Sequence, residues 1–185
     1  METAIEFYVV NGKTFYIKEG THKALTQFDK EPIDLILWNL RNWFPETLRR
    51  LEDMHLRYYK MNPSYFEFRI ADRFIRCNFG EADFMHNDVE GGIFNFEEVK
   101  CPLRGICEDQ GVICRPKPQI GINKEEARVV SLYIRGLCTS EIAEKLCKSE
   151  KTCKNQIWNV CKKLKLANPR WLFRLFTICN VTLID

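Results

Sequence analysis

Arg115-Pro-Lys-Pro-Gln-Ile-Gly121 breaks this chain in two. Two prolines one residue apart remove two backbone donors and push their neighbours towards extended conformation, and a glycine follows. Neither a helix nor a central strand is expected to run through such a segment, so it reads as a linker. At 185 residues the chain has room for one domain or two small ones. The charge divides at the same place. Residues 119–185 carry 12 Lys+Arg against 6 Asp+Glu, a net of +6, and the remainder carries a net of −3. A basic module on a mildly acidic partner suits the binding of a polyanion, with chance as the plain alternative.

Hydrophobic residues make up 45% of the chain and aromatic ones 12%, which supplies real cores and excludes disorder over most of its length. No run of about 18 apolar residues exists to span a membrane. The start, Met1-Glu-Thr-Ala-Ile-Glu, lacks the basic-then-apolar order of a secretory signal, so a soluble, cytoplasmic protein is expected. In that setting nine cysteines point to thiols, metal ligands or small core residues rather than to a disulfide framework.

Residues 1–114 read as a small α+β domain. Ile5–Val10 and Lys13–Lys18 flank Asn11-Gly12, a dipeptide suited to a two-residue hairpin turn. Ile33, Ile36, Leu37, Leu40, Phe44, Leu48 and Leu51 fall at helical spacing after Pro32, with Pro45 set to kink or split the helix. A further helix is expected to open at Ser64, with Glu67 completing a capping box, to place Phe66, Ile70, Phe74 and Cys77 on one face and to stop at Gly80. Residues 84–99 read as loop and short strands, with Gly91-Gly92 as a turn before Ile93–Phe96.

Residues 122–185 read as all-α. Asn123 and Glu126 form a capping box ahead of a stripe of Ala127, Val130, Ile134 and Leu137 that ends near Gly136. Thr139 is the expected cap of a short helix, Ser140–Leu146, whose Ile142, Ala143 and Leu146 face inward. After the tight link Cys147-Lys148, Ser149 caps a third helix running to about Lys165. At 100° per residue this helix has two unlike faces. Cys153, Ile157, Val160, Cys161 and Leu164 share one; Lys151, Lys154, Asn155, Trp158 and Lys162 share the other. Two helices joined by a short turn, the second exposing such a row near its start, match a helix-turn-helix reader of the major groove. Lysines would neutralise phosphates and Asn155 would read a base edge. A merely solvated face is the plain alternative, and Trp158 weighs against it.

Ile122-Asn-Lys-Glu-Glu126, Val129-Val130, Gly136-Leu137, Glu141-Ile-Ala-Glu-Lys-Leu146, Ser149-Glu-Lys-Thr-Cys-Lys-Asn155, Lys163-Leu164 and Asn168 fall in register with one pattern over about 55 residues. In these residues the chain resembles the LuxR/GerE-type helix-turn-helix family, and as a whole it is similar to short LuxR-type regulators of Bacteroidetes. The resemblance implies a four-helix DNA-binding domain, with a fourth helix Pro169–Cys179 capped by Asn168. It implies that Lys151 and Thr152 contact phosphates, that Lys154, Asn155 and Trp158 face bases, and that Trp171 and Phe173 are candidates for a homodimer contact. Double-stranded DNA and RNA polymerase would be the partners. The chain departs from the pattern at Lys148, Gln156 and Trp158, and carries Cys153 and Cys161 where aliphatic residues are usual. These two cysteines read as core fillers. The first domain shows neither a receiver pattern nor that of an acyl-homoserine-lactone sensor.

Four cysteines precede the linker: Cys77, and Cys101-Pro-Leu-Arg-Gly-Ile-Cys107-Glu-Asp-Gln-Gly-Val-Ile-Cys114. Three of them lie in a Pro- and Gly-containing loop with little apolar content of its own, which needs something to hold it. Four thiolates around one Zn2+ would do so. A cubane iron–sulfur cluster accepts the same ligands, and reduced thiols without metal are the third possibility. Base rates for structural sites put zinc ahead of iron–sulfur. His22, His55 and His86 are scattered and read as surface residues, Glu97-Glu98 and Asp83/Asp88 as solvated carboxylates, and Trp38, Trp43, Phe44, Tyr58 and Tyr59 as core or a subunit contact. No acid–base constellation marks an enzyme. The expectation is a transcriptional regulator whose first domain has an unknown input, metal or redox state among the options, with a protein-interaction adaptor as the alternative.

Overall fold

The computed structural model describes residues 4–80, 87–90, 93–119 and 121–178. The Gly91-Gly92 turn, Asp83, His86 and Cys179 lie outside the described residues. The chain divides into two compact units, residues 1–119 and 120–185. The molecule is mixed α+β, with a three-stranded antiparallel sheet, a two-stranded one and seven helices among the described residues. No helix among them is long and apolar enough to cross a membrane.

In the first unit β1 (Glu6–Val10) and β2 (Lys13–Lys18) form the hairpin. Asn11 and Gly12 at its turn have φ of 49° and 72°, the left-handed pair that such a two-residue connection requires. β3 (Thr21–Ala24) pairs with β2, with Phe15 opposite Ala24. Every residue of β3 is exposed, so the strand carries no alternating pattern by which it could be foreseen. α1 (Lys30–Trp43) and α2 (Pro45–Tyr59) are separated at Phe44. Pro45 takes the first position of α2, where its missing N–H costs nothing, so the proline splits the helix rather than bending it.

α3 (Pro63–Asn78) differs from expectation at both ends. Its cap is Asn62, whose side chain accepts the Tyr65 N–H at 3.0 Å, and Pro63 supplies the first turn. Ser64 and Glu67 instead receive Lys30 Nζ, at 3.2 and 3.0 Å. The helix ends as Phe79 turns extended at φ −140°, so Gly80 is not a left-handed cap. A Cβ on Gly80 would meet the Val99 methyls at 3.2 Å, which is where its small size matters. Phe7, Phe44, Phe74, Phe79, Phe94 and Phe96 form one aromatic core, with ring centroids 5.1–6.2 Å apart. The expected aromatic cluster on α1 and α2 is divided: Trp43 and Phe44 are buried, whereas Trp38 and Tyr59 are exposed.

β4 (Val89–Glu90) and β5 (Ile93–Phe94) pair, and Ile5 and Val89 exchange two backbone hydrogen bonds at 3.0 Å. Residues 95–119 form a long coil. Its last part belongs to the first unit: Pro116 and Pro118 are buried, and the Gln119 N–H reaches the Trp43 carbonyl at 2.7 Å.

The second unit holds α4 (Lys124–Ile134), α5 (Thr139–Lys145), α6 (Glu150–Lys163) and α7 (Arg170–Ile178). α4 packs against α5, α6 and α7, and α5 against α6. Val129, Val130, Ile142, Val160, Cys153, Cys161 and Leu172 are fully buried between them.

Candidate functional site

The capping residues of the second unit decide where α6 points. Asn123 accepts the Glu126 N–H at 2.8 Å while Glu126 accepts the Asn123 N–H at 2.9 Å, which starts α4. The cap of α5 is Cys138 rather than Thr139, because Glu141 reaches back to the Cys138 N–H at 2.7 Å and draws Thr139 into the first turn. α5 ends at Leu146, and Cys147 takes a left-handed φ of 52°. The chain reverses there and Ser149, accepting the Thr152 N–H at 3.1 Å, opens α6. A one-residue left-handed step between two capped helices gives the sharp turn that the spacing requires.

The two faces of α6 differ as the periodicity predicts. Cys153, Ile157, Val160, Cys161 and Leu164 are buried, and burial pushes the Cys161 thiol up to about 11, which leaves it an unreactive filler. Lys151, Thr152, Lys154, Asn155, Trp158 and Lys162 are all exposed, Trp158 to 47%. Thr152 Oγ1 lies 2.8 Å from Ser149 Oγ, and Lys154 lies 3.6 Å from Glu150. Two other lysines are committed elsewhere. Lys148 holds Glu125 at 2.6 Å and Lys163 holds the buried Glu126 at 2.6 Å. The Lys148 hydrogen bond lowers the Glu125 pKa; burial works to raise that of Glu126, but Lys163 and the Asn123 N–H lower it. Lys148 therefore fills a structural role, tying the turn before α6 to Glu125 and Gln156. On α7, Phe173 packs on Tyr133 with centroids 4.9 Å apart, and Arg174 lies 5.5 Å over the half-buried Trp171 ring.

In the first unit the four cysteines belong to the end of one helix and the coil that follows, and among the described residues no three of their sulfurs lie within 4.8 Å of one another. Cys77 lies on the last turn of α3, and the thiols of Cys114, Cys101 and Cys107 stand close enough to act on it electrostatically. All four are free thiols. Burial pushes the Cys77 thiol up to about 11 against the opposing Arg73 guanidinium, with the other thiols adding to the rise, and burial raises Cys114 against Arg104 and Arg115. Cys114 Sγ approaches the Cys77 carbonyl at 3.5 Å.

Sequence reasoning missed a second cluster. The carboxylates of Glu6, Asp88 and Glu97 lie within 4.8 Å of one another, a grouping that could hold a cation. Asp88 is buried rather than solvated, and accepts the Phe7 N–H at 2.6 Å; Glu6 accepts the Asp88 N–H at 3.2 Å and Glu97 the Gly80 N–H at 2.7 Å. Strands and coil 82 residues apart in sequence bring them together, so no spacing signal exists. His55 is likewise buried rather than on the surface.

No family model, curated protein or solved structure matches this chain.

Proposed function

We propose that this protein is a DNA-binding transcriptional regulator that sets α6 of a LuxR-like helix-turn-helix into the major groove of duplex DNA. One observation carries the reading: α6 follows a tight turn from α5, buries one face completely and exposes Lys151, Thr152, Lys154, Asn155, Trp158 and Lys162 on the other. Lys151 and Thr152, exposed at the start of the helix, would meet phosphates. Asn155 offers the amide that pairs with adenine, and Lys154 adds a cation beside it. The net charge of +6 over residues 119–185 supplies attraction that does not depend on sequence. Two copies would occupy a two-fold site. With Phe173 engaged on Tyr133, Trp171 is the candidate contact on α7.

The 47% exposure of Trp158 favours one second reading, an interaction adaptor that seats this indole in a partner's groove. Capture of fragmented genomic DNA on the full-length protein, followed by sequencing, separates the two. Enriched sites, with affinity that falls steeply as salt rises, are expected for the regulator. Absence of DNA capture together with salt-insensitive retention of a protein would overturn it in favour of the adaptor.

A further inference from the structure

On the α2–α3 pair, His55 Nε2, Arg69 Nε and Arg73 Nε are buried without a hydrogen-bond partner among the described residues. The first unit pairs its other buried groups of this kind. Asn78 donates Nδ2 to the Phe74 and Ile113 carbonyls, both at 2.9 Å, and Thr14 donates to Asp72 at 2.6 Å. A buried polar group left open forfeits its hydration and gains nothing in return. Two guanidinium N–H groups and an imidazole nitrogen left open in one place call for an acceptor that the described residues do not supply.

Contacts along the helix pair place the three side chains together. Tyr58 meets Tyr65 with ring centroids 5.0 Å apart, and Tyr59 meets Phe66 at 5.2 Å. Farther along, Arg50 and Arg73 share Asp109 at 2.7 and 3.8 Å. The helices therefore run antiparallel in one register. One turn back from Tyr58 on α2 and one turn on from Tyr65 on α3, His55 falls opposite Arg69. Arg73 stands one turn beyond Arg69, on the same side of α3. His55 is 6% exposed and shares the buried face of α2 with Leu48 and Leu51. After burial, Arg69 and Arg73 are the neighbours that most lower the imidazole pKa, in keeping with this placement.

Neither arginine is used up by its surroundings. Asp72 lies 3.7 Å from Arg69 and Asp109 lies 3.8 Å from Arg73, both beyond hydrogen-bond length. Each carboxylate is engaged more closely elsewhere: Asp72 by Thr14 and Arg76 at 2.6 and 3.0 Å, Asp109 by Arg50 at 2.7 Å. The side chains of Arg69 and Arg73 are 34% and 36% exposed, so a solute can reach them although their Nε atoms are buried. Guanidinium forks match the oxygens of carboxylate and phosphate. Two forks and an imidazole offer more donors than the two oxygens of a carboxylate can use, and two cations favour a dianion. We propose that Arg69, Arg73 and His55 bind a phosphoryl group, carried by inorganic phosphate or by a small phosphomonoester. This inference is independent of the DNA-binding reading.

Isothermal titration of the full-length protein with sodium phosphate, phenyl phosphate and sodium acetate, at matched ionic strength, tests it. One saturable site per chain is expected for a phosphoryl probe, with Kd below about 1 mM, and none for acetate. Tighter binding of phosphate than of phenyl phosphate identifies the free ion as the ligand, and the reverse order identifies an ester. Arg69→Gln and Arg73→Gln should each weaken binding by at least about tenfold while keeping the parent's helical circular dichroism. Arg49→Gln, at an exposed arginine of α2, should bind as the parent does. Absence of saturable binding of either phosphoryl probe by the parent overturns the proposal without reference to any variant, as does acetate that binds as tightly. Undiminished binding after both Arg69→Gln and Arg73→Gln, or an equal loss in Arg49→Gln, overturns the assignment to these residues.

Discussion

His55 lies on α2 with 6% of its surface exposed, and Nε2 finds no hydrogen-bond partner. Burial lowers its pKa first, and the nearby guanidinium groups of Arg69, Arg73 and Arg57 lower it further, with Asp72 opposing. The unfolded chain therefore takes up a proton, near the ordinary value of 6.5, that the folded chain resists. Stability from this residue is complete above that pH and is lost as pH falls from there towards the folded value. Thermal melts from pH 7.5 to 5.5 should show a shallower loss for His55→Gln than for the parent; equal slopes would sink the argument. On α6, Lys154→Ala should weaken binding to every DNA sequence, whereas Asn155→Ala should flatten base preference at one position by about 1–3 kcal/mol. Competition titrations against site variants read both, and binding by both variants that equals the parent's would show that another surface meets the DNA. The outward residues of α6 could be named from sequence because a helix repeats every 3.6 residues, so burial of one face fixes the other. His55, Asp88 and Glu97 could not, since tertiary neighbours distant in sequence determine whether a polar side chain is buried.

Capping chemistry sets where elements begin, and it is the part of the sequence most open to rival readings. Asn123 and Glu126 carry a reciprocal pair that spacing alone identifies, because the two residues complete it without outside help. The start of α3 shows the opposite case. Ser64 and Glu67 have capping-box spacing, but Pro63 is well placed at the first helical position, which moves the cap back to Asn62. The displaced pair then serves as an anchor for Lys30. Asn62→Ala should cost about 1 kcal/mol in chemical denaturation, whereas Ser64→Ala should change stability by no more than a few tenths. The reverse order would return the cap to Ser64. β3 has no sequence signature, and the coil of residues 95–119 shows its Pro and Gly content in the sequence but not its path. The strand exposes every side chain, and the coil's shape depends on Asn78, Arg50 and Thr47, which are remote from it in sequence.

Each unit of the molecule has a core of its own, and this governs how the chain should come apart. The first is built on the phenylalanine cluster around Phe74, the second on Val130, Ile142, Val160 and Leu172, all fully buried. Both are large enough to fold cooperatively, so calorimetry of the full chain should resolve two transitions. Removing a ring or a branched side chain leaves a cavity that neighbouring atoms cannot wholly fill. Phe74→Ala should therefore cost about 3–5 kcal/mol and Ile142→Ala about 2–5 kcal/mol, each in its own unit. Phe74→Ala is expected to lower one transition and leave the other in place; Ile142→Ala should do the converse. DNA fragments that bind α6 should raise only the transition that Ile142→Ala lowers, because a ligand stabilises the unit whose folded form it recognises. Movement of both transitions by either substitution would mean that the two cores melt as one. A DNA-induced rise confined to the transition that Phe74→Ala lowers would place the binding surface on the first unit, against the assignment to α6.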